Sequence, residues 1–259
     1  MKILHSGYGH ITDGNNMSFH FAPSEFNFLL CKRCYYLKKV KGLEFKGGFP
    51  EIFNTFDLSQ KKYFLSKDTH SLSKELPKGD FFKTVTKKER DERIKKKLSE
   101  FNALELPGKI YSAELKDKKD RIFTLGGIPD LVVKFDDSYG ILDFKTTGEK
   151  DKTQNYKFQL ESYALIFENP KIGTPKLSPV KHMGLIQFTP KEIKSNNDGS
   201  ILQNIKMQYF KLERNQKHKD DFLNFITNLI DILEKNHAPF FDARCNICNT
   251  ARELKKSNF

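Results

Sequence analysis

The central part of the chain alternates between apolar and polar residues in the way that β-strands do. Runs rich in β-branched and aromatic residues with a period of two are typical of strands. On this pattern we predict strands at residues 109–116, 121–135, 140–146, 180–189 and 202–212. Apolar residues with a helical period interrupt the series at 153–170, where Thr153 is a suitable N-cap and Pro170 ends the helix.

The N-terminal part has helical periodicity instead. Ser24 can cap a helix that runs through SEFNFLLCKRCYYLKK, and a short helix is predicted at 52–64. Thr86 and Glu89 have the spacing of a capping box, which predicts a further helix that ends near Phe101. One face of that helix is dense in lysine and arginine, a pattern typical of a solvated surface or of nucleic-acid contact.

The C-terminal part is predicted to contain an amphipathic helix at 218–235, followed by a tail with two cysteines. Helices, a mixed sheet with one intervening helix, and a final helix indicate a single α/β domain over residues 1–259. Within it we distinguish a loosely ordered lead-in, a helical N-terminal part, a core sheet with its helix, and a C-terminal helix with the cysteine tail. These parts span residues 1–22, 24–104, 105–215 and 216–259.

The overall charge indicates what the protein binds. The 259 residues carry a formal net charge of +12, with a sequence isoelectric point of 9.3. Such a charge attracts polyanions, so nucleic acid is the first partner to consider, beside the alternative of a basic surface with no such role. No apolar run reaches the ~18 residues of a membrane span, and the N-terminus has no apolar signal segment. We therefore expect a cytoplasmic protein without membrane contact.

The four cysteines form two CxxC pairs, Cys31 with Cys34 and Cys245 with Cys248. In a reducing compartment such pairs indicate a metal ion or a cluster more than disulfides. Four thiolates can hold either an iron–sulfur cluster or a tetrahedral Zn²⁺ ion, and this spacing suits both. Because the pairs lie near opposite ends of the chain, such a site would join the two ends, and its loss should unfold both together.

The strongest strand signal contains three charges that a buried strand should not have. Residues 126–147 read GGIPDLVVKFDDSYGILDFKTT, with Asp130 in the first apolar run and Asp143 and Lys145 in the second. A turn centred at 137–138 would place Asp130 opposite Lys145 and diagonal to Asp143, roughly 7 Å from it at the backbone. All three side chains then share one face of the hairpin, whereas a register shifted by one residue would separate them.

Two carboxylates at this distance repel each other unless a cation lies between them. Oxygen ligands favour Mg²⁺ or Mn²⁺, and such an ion can activate water and neutralise charge that develops on a phosphate. A neighbouring lysine can orient that water or stabilise the developing charge. The group therefore suits phosphodiester hydrolysis, and the alternative is a structural ion pair between Lys145 and one of the acids.

These landmarks resemble the PD-(D/E)XK nuclease superfamily. The motif GIPD at 127–130 precedes DFK at 143–145, and the helix that follows contains Gln159 and Tyr163 in a QxxxY spacing. That spacing, with cysteines near both chain ends, is similar to the RecB-like and Cas4-like branch, which includes AddB-like proteins. The resemblance implies a restriction-endonuclease-like core, in which helices flank a central mixed β-sheet and both chain ends meet at the four-cysteine site.

The resemblance also implies roles for individual residues. Asp130 and Asp143 would bind the metal ion, Mg²⁺ or Mn²⁺, and Lys145 would be the catalytic lysine. Gln159 and Tyr163 would lie beside the site, contacting substrate or orienting groups there. Their spacing of four residues does place them on one helical face.

This branch usually has a further metal ligand upstream, often a histidine on an early helix, and no histidine here lies convincingly in that position. The two candidates are Asp57, on the predicted helix at 52–64, and Glu114, at the end of the strand IYSAEL. We expect Glu114 slightly more than Asp57, because an acid commonly precedes the GIPD strand in this branch.

The cysteines depart from the resemblance as well. Cas4-like and AddB-like proteins typically use one N-terminal and three C-terminal cysteines for a [4Fe-4S] cluster, whereas the division here is two and two. The resemblance still favours [4Fe-4S] over structural Zn²⁺ at these four residues.

The activity that the resemblance implies is that of a deoxyribonuclease, an exonuclease on single-stranded DNA or DNA ends in repair, recombination or defence. It would contact the DNA backbone without reading sequence, so its binding should weaken with salt. A helicase or another repair or defence protein would be its partner. The alternatives are an RNA nuclease and a catalytically weak or inactive module of the same fold that binds nucleic acid or a protein.

Overall fold

Curled mixed β-sheets flanked by helices form the fold, in agreement with the predicted α/β class. None of the described helices is long and apolar enough to cross a membrane. The computed structural model describes residues 9–11, 17–26, 31–44, 51–65, 67–97, 99–146, 151–195, 198–199 and 201–256.

The strands are β1 (Gly9–Ile11), β2 (Met17–Phe21), β3 (Asp80–Phe81), β4 (Lys83–Val85), β5 (Glu105–Pro107), β6 (Ile110–Tyr111), β7 (Leu115–Lys116), β8 (Ile122–Gly127), β9 (Leu131–Lys134), β10 (Tyr139–Thr146), β11 (Val180–Ser195) and β12 (Ile201–Leu212). The α-helices are α1 (Lys32–Lys41), α2 (Glu51–Phe64), α3 (Lys87–Lys95), α4 (Thr153–Glu168), α5 (Gln216–Leu233) and α6 (Asn246–Lys256). Two short 3₁₀ helices cover Pro23–Phe26 and Thr69–Ser71.

The strands divide between two larger sheets and one small one. In the first sheet the described strands follow the order β12-β11-β10-β9-β3, with β10 and β11 parallel and the other pairs antiparallel. In the second sheet they follow the order β1-β2-β8-β6, and β7 also pairs with β8. Strands β4 and β5 form a separate parallel pair. The first sheet corresponds to the predicted central mixed sheet.

Two of the predicted strands are divided in the structure. The segment predicted at 121–135 separates into β8 and β9, which belong to different sheets. The break includes Pro129, whose missing N–H cannot contribute to a strand ladder. The segment predicted at 109–116 likewise separates into β6 and β7, which pair with different parts of β8.

The β9–β10 hairpin has a register two residues away from the predicted one. Tyr139 pairs with Lys134, and Phe135 N–H donates to the carbonyl of Ser138, so the turn is centred one residue earlier than expected. Continuing this register brings Asp130 level with residue 143, so its predicted position opposite Lys145 is wrong. A shift of two residues keeps the parity, and the charged side chains still share a face.

The two faces of this hairpin contact different helices. Leu131 and Leu142 belong to a buried cluster that includes Phe64 of α2. Val132 and Ile141 point to the opposite face and belong to the larger core formed with α4 and α5. The Asp143 carboxylate lies on the α4 side, where Gln159 of that helix donates to it.

The helix predicted from Ser24 is shorter than expected. Ser24 lies in a 3₁₀ helix, and α1 begins only at Lys32, with Cys31 as its N-cap. The connecting residues 27–30 lie outside the described part of the chain. The helix therefore starts at the first cysteine pair.

The predicted capping box is present at the start of α3. The hydroxyl of Thr86 accepts from the N–H of Glu89, whose carboxylate accepts from the N–H of Thr86. The helix ends at Lys95 and does not reach Phe101, because Lys97 adopts a positive φ of 55°. The described length of α3 contains no buried residue, so this helix lies on the surface and not in the core.

A buried ion-pair group joins α4 to the end of β12. The Arg214 guanidinium donates to both carboxylate oxygens of Glu161 and to both oxygens of Glu168. The side chain of Glu161 is 0% exposed and that of Arg214 is 4% exposed. A buried charge that loses its partner is strongly destabilising, so this group holds α4 against the first sheet.

Replacing Arg214 by methionine should therefore destabilise the protein. Glu161 would remain buried without its cation, and we expect the free energy of unfolding to fall by ~3–5 kcal/mol. Urea denaturation at neutral pH measures this change. Lys211→Met is the matched control, because the Lys211–Glu213 ion pair is exposed and contributes little. Equal stabilities of the two variants would contradict the expectation.

The same group should make stability depend on pH. Burial alone would raise the pKa of Glu168, but its contacts with Arg214 outweigh burial and lower the pKa. A carboxylate with a lowered pKa stabilises the fold above its unfolded pKa of about 4.3, and that contribution is lost as the pH falls through the folded pKa. Thermal unfolding of Glu168→Gln should thus change less between pH 7 and pH 3 than that of the parent or of an exposed Glu213→Gln control.

Candidate active site

The hairpin places two carboxylates side by side. Asp143 lies within β10 and is 2% exposed, while Asp130 lies in the bend just before β9. The N–H of Phe144 donates to Oδ2 of Asp130 at 3.2 Å, which holds this carboxylate against β10. Burial, followed by repulsion from Asp130, raises the pKa of Asp143 to about 7. A cation between the two acids would reduce this repulsion.

Lys145 lies two residues beyond Asp143 on the same face of β10. Its Nζ forms an ion pair with Oδ2 of Asp143 and lies 4.7 Å above the ring of Tyr156. Burial opposes the charge of Lys145, but the attraction of Asp143 and Asp130 outweighs burial and raises its pKa. The lysine therefore stays protonated beside the acids.

Helix α4 contributes the two residues of the QxxxY spacing. Nε2 of Gln159 donates to Oδ1 of Asp143 at 3.0 Å, and the hydroxyl of Tyr163 donates to the carbonyl of Ile128 at 2.7 Å. The Tyr163 ring fits because Gly127 has no side chain, since a Cβ there would lie 3.1 Å from Cε1 of Tyr163. One face of α4 thus contacts β10 and the bend between β8 and β9.

Lys61 of α2 is a residue of this group that the sequence did not indicate. Its Nζ lies 2.7 Å from Oδ1 of Asp130 and 2.8 Å from Oδ2 of Asp57. One ammonium group therefore connects both acids. The spacing of four residues between Asp57 and Lys61 is visible in the sequence, but it shows nothing about the packing of α2 on the hairpin.

Of the two upstream candidates, Asp57 is linked to the acid pair by the described contacts of Lys61. Glu114 has no such link among the described residues. Glu114 is exposed, between β6 and β7. Its neighbour Ala113 donates to the carbonyl of Asn169, just beyond the C-terminal end of α4. Gln159 lies ten residues before Asn169, about 15 Å away along the helix axis. The sequence-based preference for Glu114 therefore has no support in the geometry.

The acid pair suits a hard divalent cation. Asp130 and Asp143 offer only oxygen atoms, and such ligands, completed by water or phosphate, are typical of Mg²⁺ sites. Burial and repulsion from Asp130 raise the pKa of Asp143, so Lys145 and Gln159 compensate its charge only in part. Within the described residues, no set of three carboxylates or histidines lies close enough to form an all-protein cage. PD-(D/E)XK nucleases use divalent metal ions, and two carboxylates could hold one here.

The cysteine pairs form a second group with metal ligands, at the ends of the chain. Cys31 precedes α1 and Cys245 precedes α6, and the four Sγ atoms lie within 4.8 Å of one another. Burial is the main effect that raises the pKa of Cys34. The N–H of Cys248 lowers the pKa of Cys245 to about 7. Such a group can bind an iron–sulfur cluster or a zinc ion, and it joins the two ends as predicted.

Comparison with known proteins identifies the family. The model of the PD-(D/E)XK nuclease superfamily matches residues 20–252. A solved structure described as "Crystal structure of SSO0001" is similar over 94% of this chain and 87% of that chain, with 11% sequence identity and a TM-score of 0.42. No curated protein matches the chain. Because the family match extends over most of the chain, the protein belongs to the PD-(D/E)XK nuclease superfamily.

Proposed function

We propose that the protein is a metal-dependent deoxyribonuclease and that the hairpin carries its active site. The observation that supports this most directly is the buried Asp143 carboxylate, which contacts Lys145 and Gln159 and lies beside Asp130. A charged group is expensive to bury, and burial with a raised pKa is frequent at functional sites. Membership of the nuclease superfamily points in the same direction.

Each residue of the group has a distinct role in this proposal. Asp130 and Asp143 hold Mg²⁺ or Mn²⁺, which when bound lowers the pKa of water and stabilises negative charge on phosphate. Lys145, protonated and fixed by its contact with Asp143, is placed to attract the phosphate of the substrate. Gln159 orients the Asp143 carboxylate, and Tyr163 fixes the bend that carries Asp130.

The charge distribution supports binding to the nucleic-acid backbone. The net charge is +12, and the exposed α3 carries lysines and arginines along its solvated surface. Contacts with phosphates neutralise such charges and release counterions, so affinity should fall steeply with salt. The QxxxY spacing supports an exonuclease of the RecB-like or Cas4-like type, acting in the cytoplasm on single-stranded DNA or DNA ends in repair, recombination or defence, with a helicase as a suitable partner.

One observation favours a second candidate, a catalytically weak module that binds nucleic acid. Lys61 forms ion pairs with Asp57 and Asp130 at the position where a further metal ligand would be expected. Together with Lys145, it neutralises much of the acidic charge without a metal ion. A divalent cation would have to compete with an ammonium group for Asp130.

The four-cysteine centre has a structural role in this proposal, whether it holds the [4Fe-4S] cluster of the related branch or zinc. It lies between the starts of α1 and α6, whereas the acid pair lies on the hairpin next to α4. Its contribution is to keep the ends of the chain together around the nuclease core.

Cleavage assays with matched variants test the catalytic proposal. Asp143→Asn removes a proposed metal ligand and Lys145→Met removes the cation beside it, so each should reduce DNA cleavage by about 100-fold or more. Single- and double-stranded DNA and RNA are incubated with Mg²⁺ or Mn²⁺. Asp137→Asn is the control, because Asp137 is exposed in the turn of the same hairpin.

The outcomes separate the candidates. Cleavage that persists in both variants would exclude the hairpin as the active site. A parent protein that binds DNA in a salt-sensitive manner but never cleaves it would favour the binding module. Preferential cleavage of RNA would reassign the substrate.

Lys61 should compete with the metal ion, and this is measurable without any activity. Lys61→Met removes the ammonium group from Asp130 and Asp57, so we expect Mn²⁺ to bind roughly two- to five-fold more tightly. Electron paramagnetic resonance of unbound Mn²⁺ during a titration gives the affinity. Lys62→Met is the control, since Lys62 is an exposed neighbour on the same helix. Unchanged or weaker binding by Lys61→Met would show that the two cations do not compete.

A further inference from the structure

The sulfur atoms of the four cysteines have the spacing of ligands that share one ion. Three of the Sγ–Sγ distances are 3.4 Å for Cys31–Cys248, 3.6 Å for Cys34–Cys248 and 3.8 Å for Cys34–Cys245, and all four atoms lie within 4.8 Å of one another. A tetrahedral ion with metal–sulfur bonds of ~2.3 Å holds its ligand sulfurs about 3.8 Å apart. In a [4Fe-4S] cluster each cysteine binds the outer side of a different iron. The four cysteine sulfurs must therefore lie further apart than around a single ion.

The surrounding contacts oppose a wider arrangement. The hydroxyl of Tyr36 donates to the carbonyl of Lys235 at 3.0 Å, and Nη1 of Arg33 donates to the carbonyl of Pro239 at 2.9 Å. The same Arg33 lies 4.2 Å above the ring of Phe241. These contacts fasten α1 to the segment that leads into α6. A cluster between the cysteine pairs would require their sulfur atoms to move apart against these contacts.

The two halves of the site also have matching local geometry. In each CxxC pair the first cysteine directly precedes a helix and accepts a hydrogen bond from the N–H of the second. The N–H of Cys34 lies 3.5 Å from Sγ of Cys31, and the N–H of Cys248 makes the corresponding bond to Cys245. Two such halves supply four sulfur ligands in a closed set, with no position left for water or substrate. Closed sets of four ligands are typical of structural zinc.

We propose that the four cysteines hold a single tetrahedral Zn²⁺ ion instead of a [4Fe-4S] cluster, and that this ion joins α1 to α6. The two-and-two division of the cysteines, which differs from the one-and-three division typical of Cas4-like and AddB-like proteins, supports the same assignment. Four thiolates around one ion with no open position suit a metal without redox chemistry. The proposal does not depend on nuclease activity, because it concerns only the metal content and its coordination.

Metal analysis of the full-length protein tests the proposal. The chain is produced in cells supplied with both iron and zinc and is purified without oxygen, so that a cluster would survive. We expect about one zinc per chain, a colourless solution without absorbance near ~400 nm, and an X-ray absorption spectrum with one sulfur shell at ~2.3 Å. Several irons with inorganic sulfide, a single iron, or no stoichiometric metal would each overturn the proposal.

Two variants connect the zinc to these residues. Cys245→Ala should lose the zinc and unfold at a lower temperature, whereas Asp143→Asn, altered only at the hairpin, should retain one zinc per chain. Zinc retained by Cys245→Ala, or lost from Asp143→Asn, would contradict the assignment. If Cys245→Ala does not fold, thiol modification of the parent decides, because blocking the four cysteines should release one zinc ion per chain.

Discussion

A single buried carboxylate constrains the middle of this chain. Asp143 is 2% exposed within β10, and a buried charge without partners would strongly destabilise the fold. Its compensation comes from Lys145 on the same strand and from Gln159 on α4, whereas Asp130, which the backbone of Phe144 holds nearby, repels it. Because these groups come from separate segments, the burial of one side chain makes the hairpin and α4 depend on each other. The same arrangement produces two adjacent carboxylates beside a fixed ammonium group.

A second constraint acts at the borders of the domain. The family match begins in β2 and extends into α6, and the helices near its two ends, α1 and α6, contact each other. They meet at the four cysteines, supported by hydrogen bonds from α1 to the segment before α6. The two sites are thus built differently. The hairpin carries two adjacent carboxylates whose charge is only partly compensated, whereas the chain ends carry four cysteine sulfurs close together.

Local periodicities explain which features could be predicted. A period of two along a strand is sufficient to place Asp143 and Lys145 on one face, and a spacing of four on a helix is sufficient to align Gln159 with Tyr163. The capping box at the start of α3 is equally local. The hairpin register is not, because it depends on where the turn forms, and moving the turn by one residue changed the partner of Asp130. The strand break at Pro129 and the two-sheet arrangement also depend on pairing between distant segments.

The sequence by itself determined the chemistry of the side chains, namely two carboxylates and a lysine in the hairpin segment and thiols in two CxxC pairs, since residue identity and short-range geometry are local properties. It favoured Glu114 slightly over Asp57, whereas the structure links Asp57 to the hairpin, because each is an ordinary acid until tertiary packing places one of them there. The sequence could not reveal Lys61 as the group that connects Asp57 to the site. The sulfur spacing was likewise decided by how closely α1 approaches α6, a distance that arises from long-range packing and that no local pattern encodes.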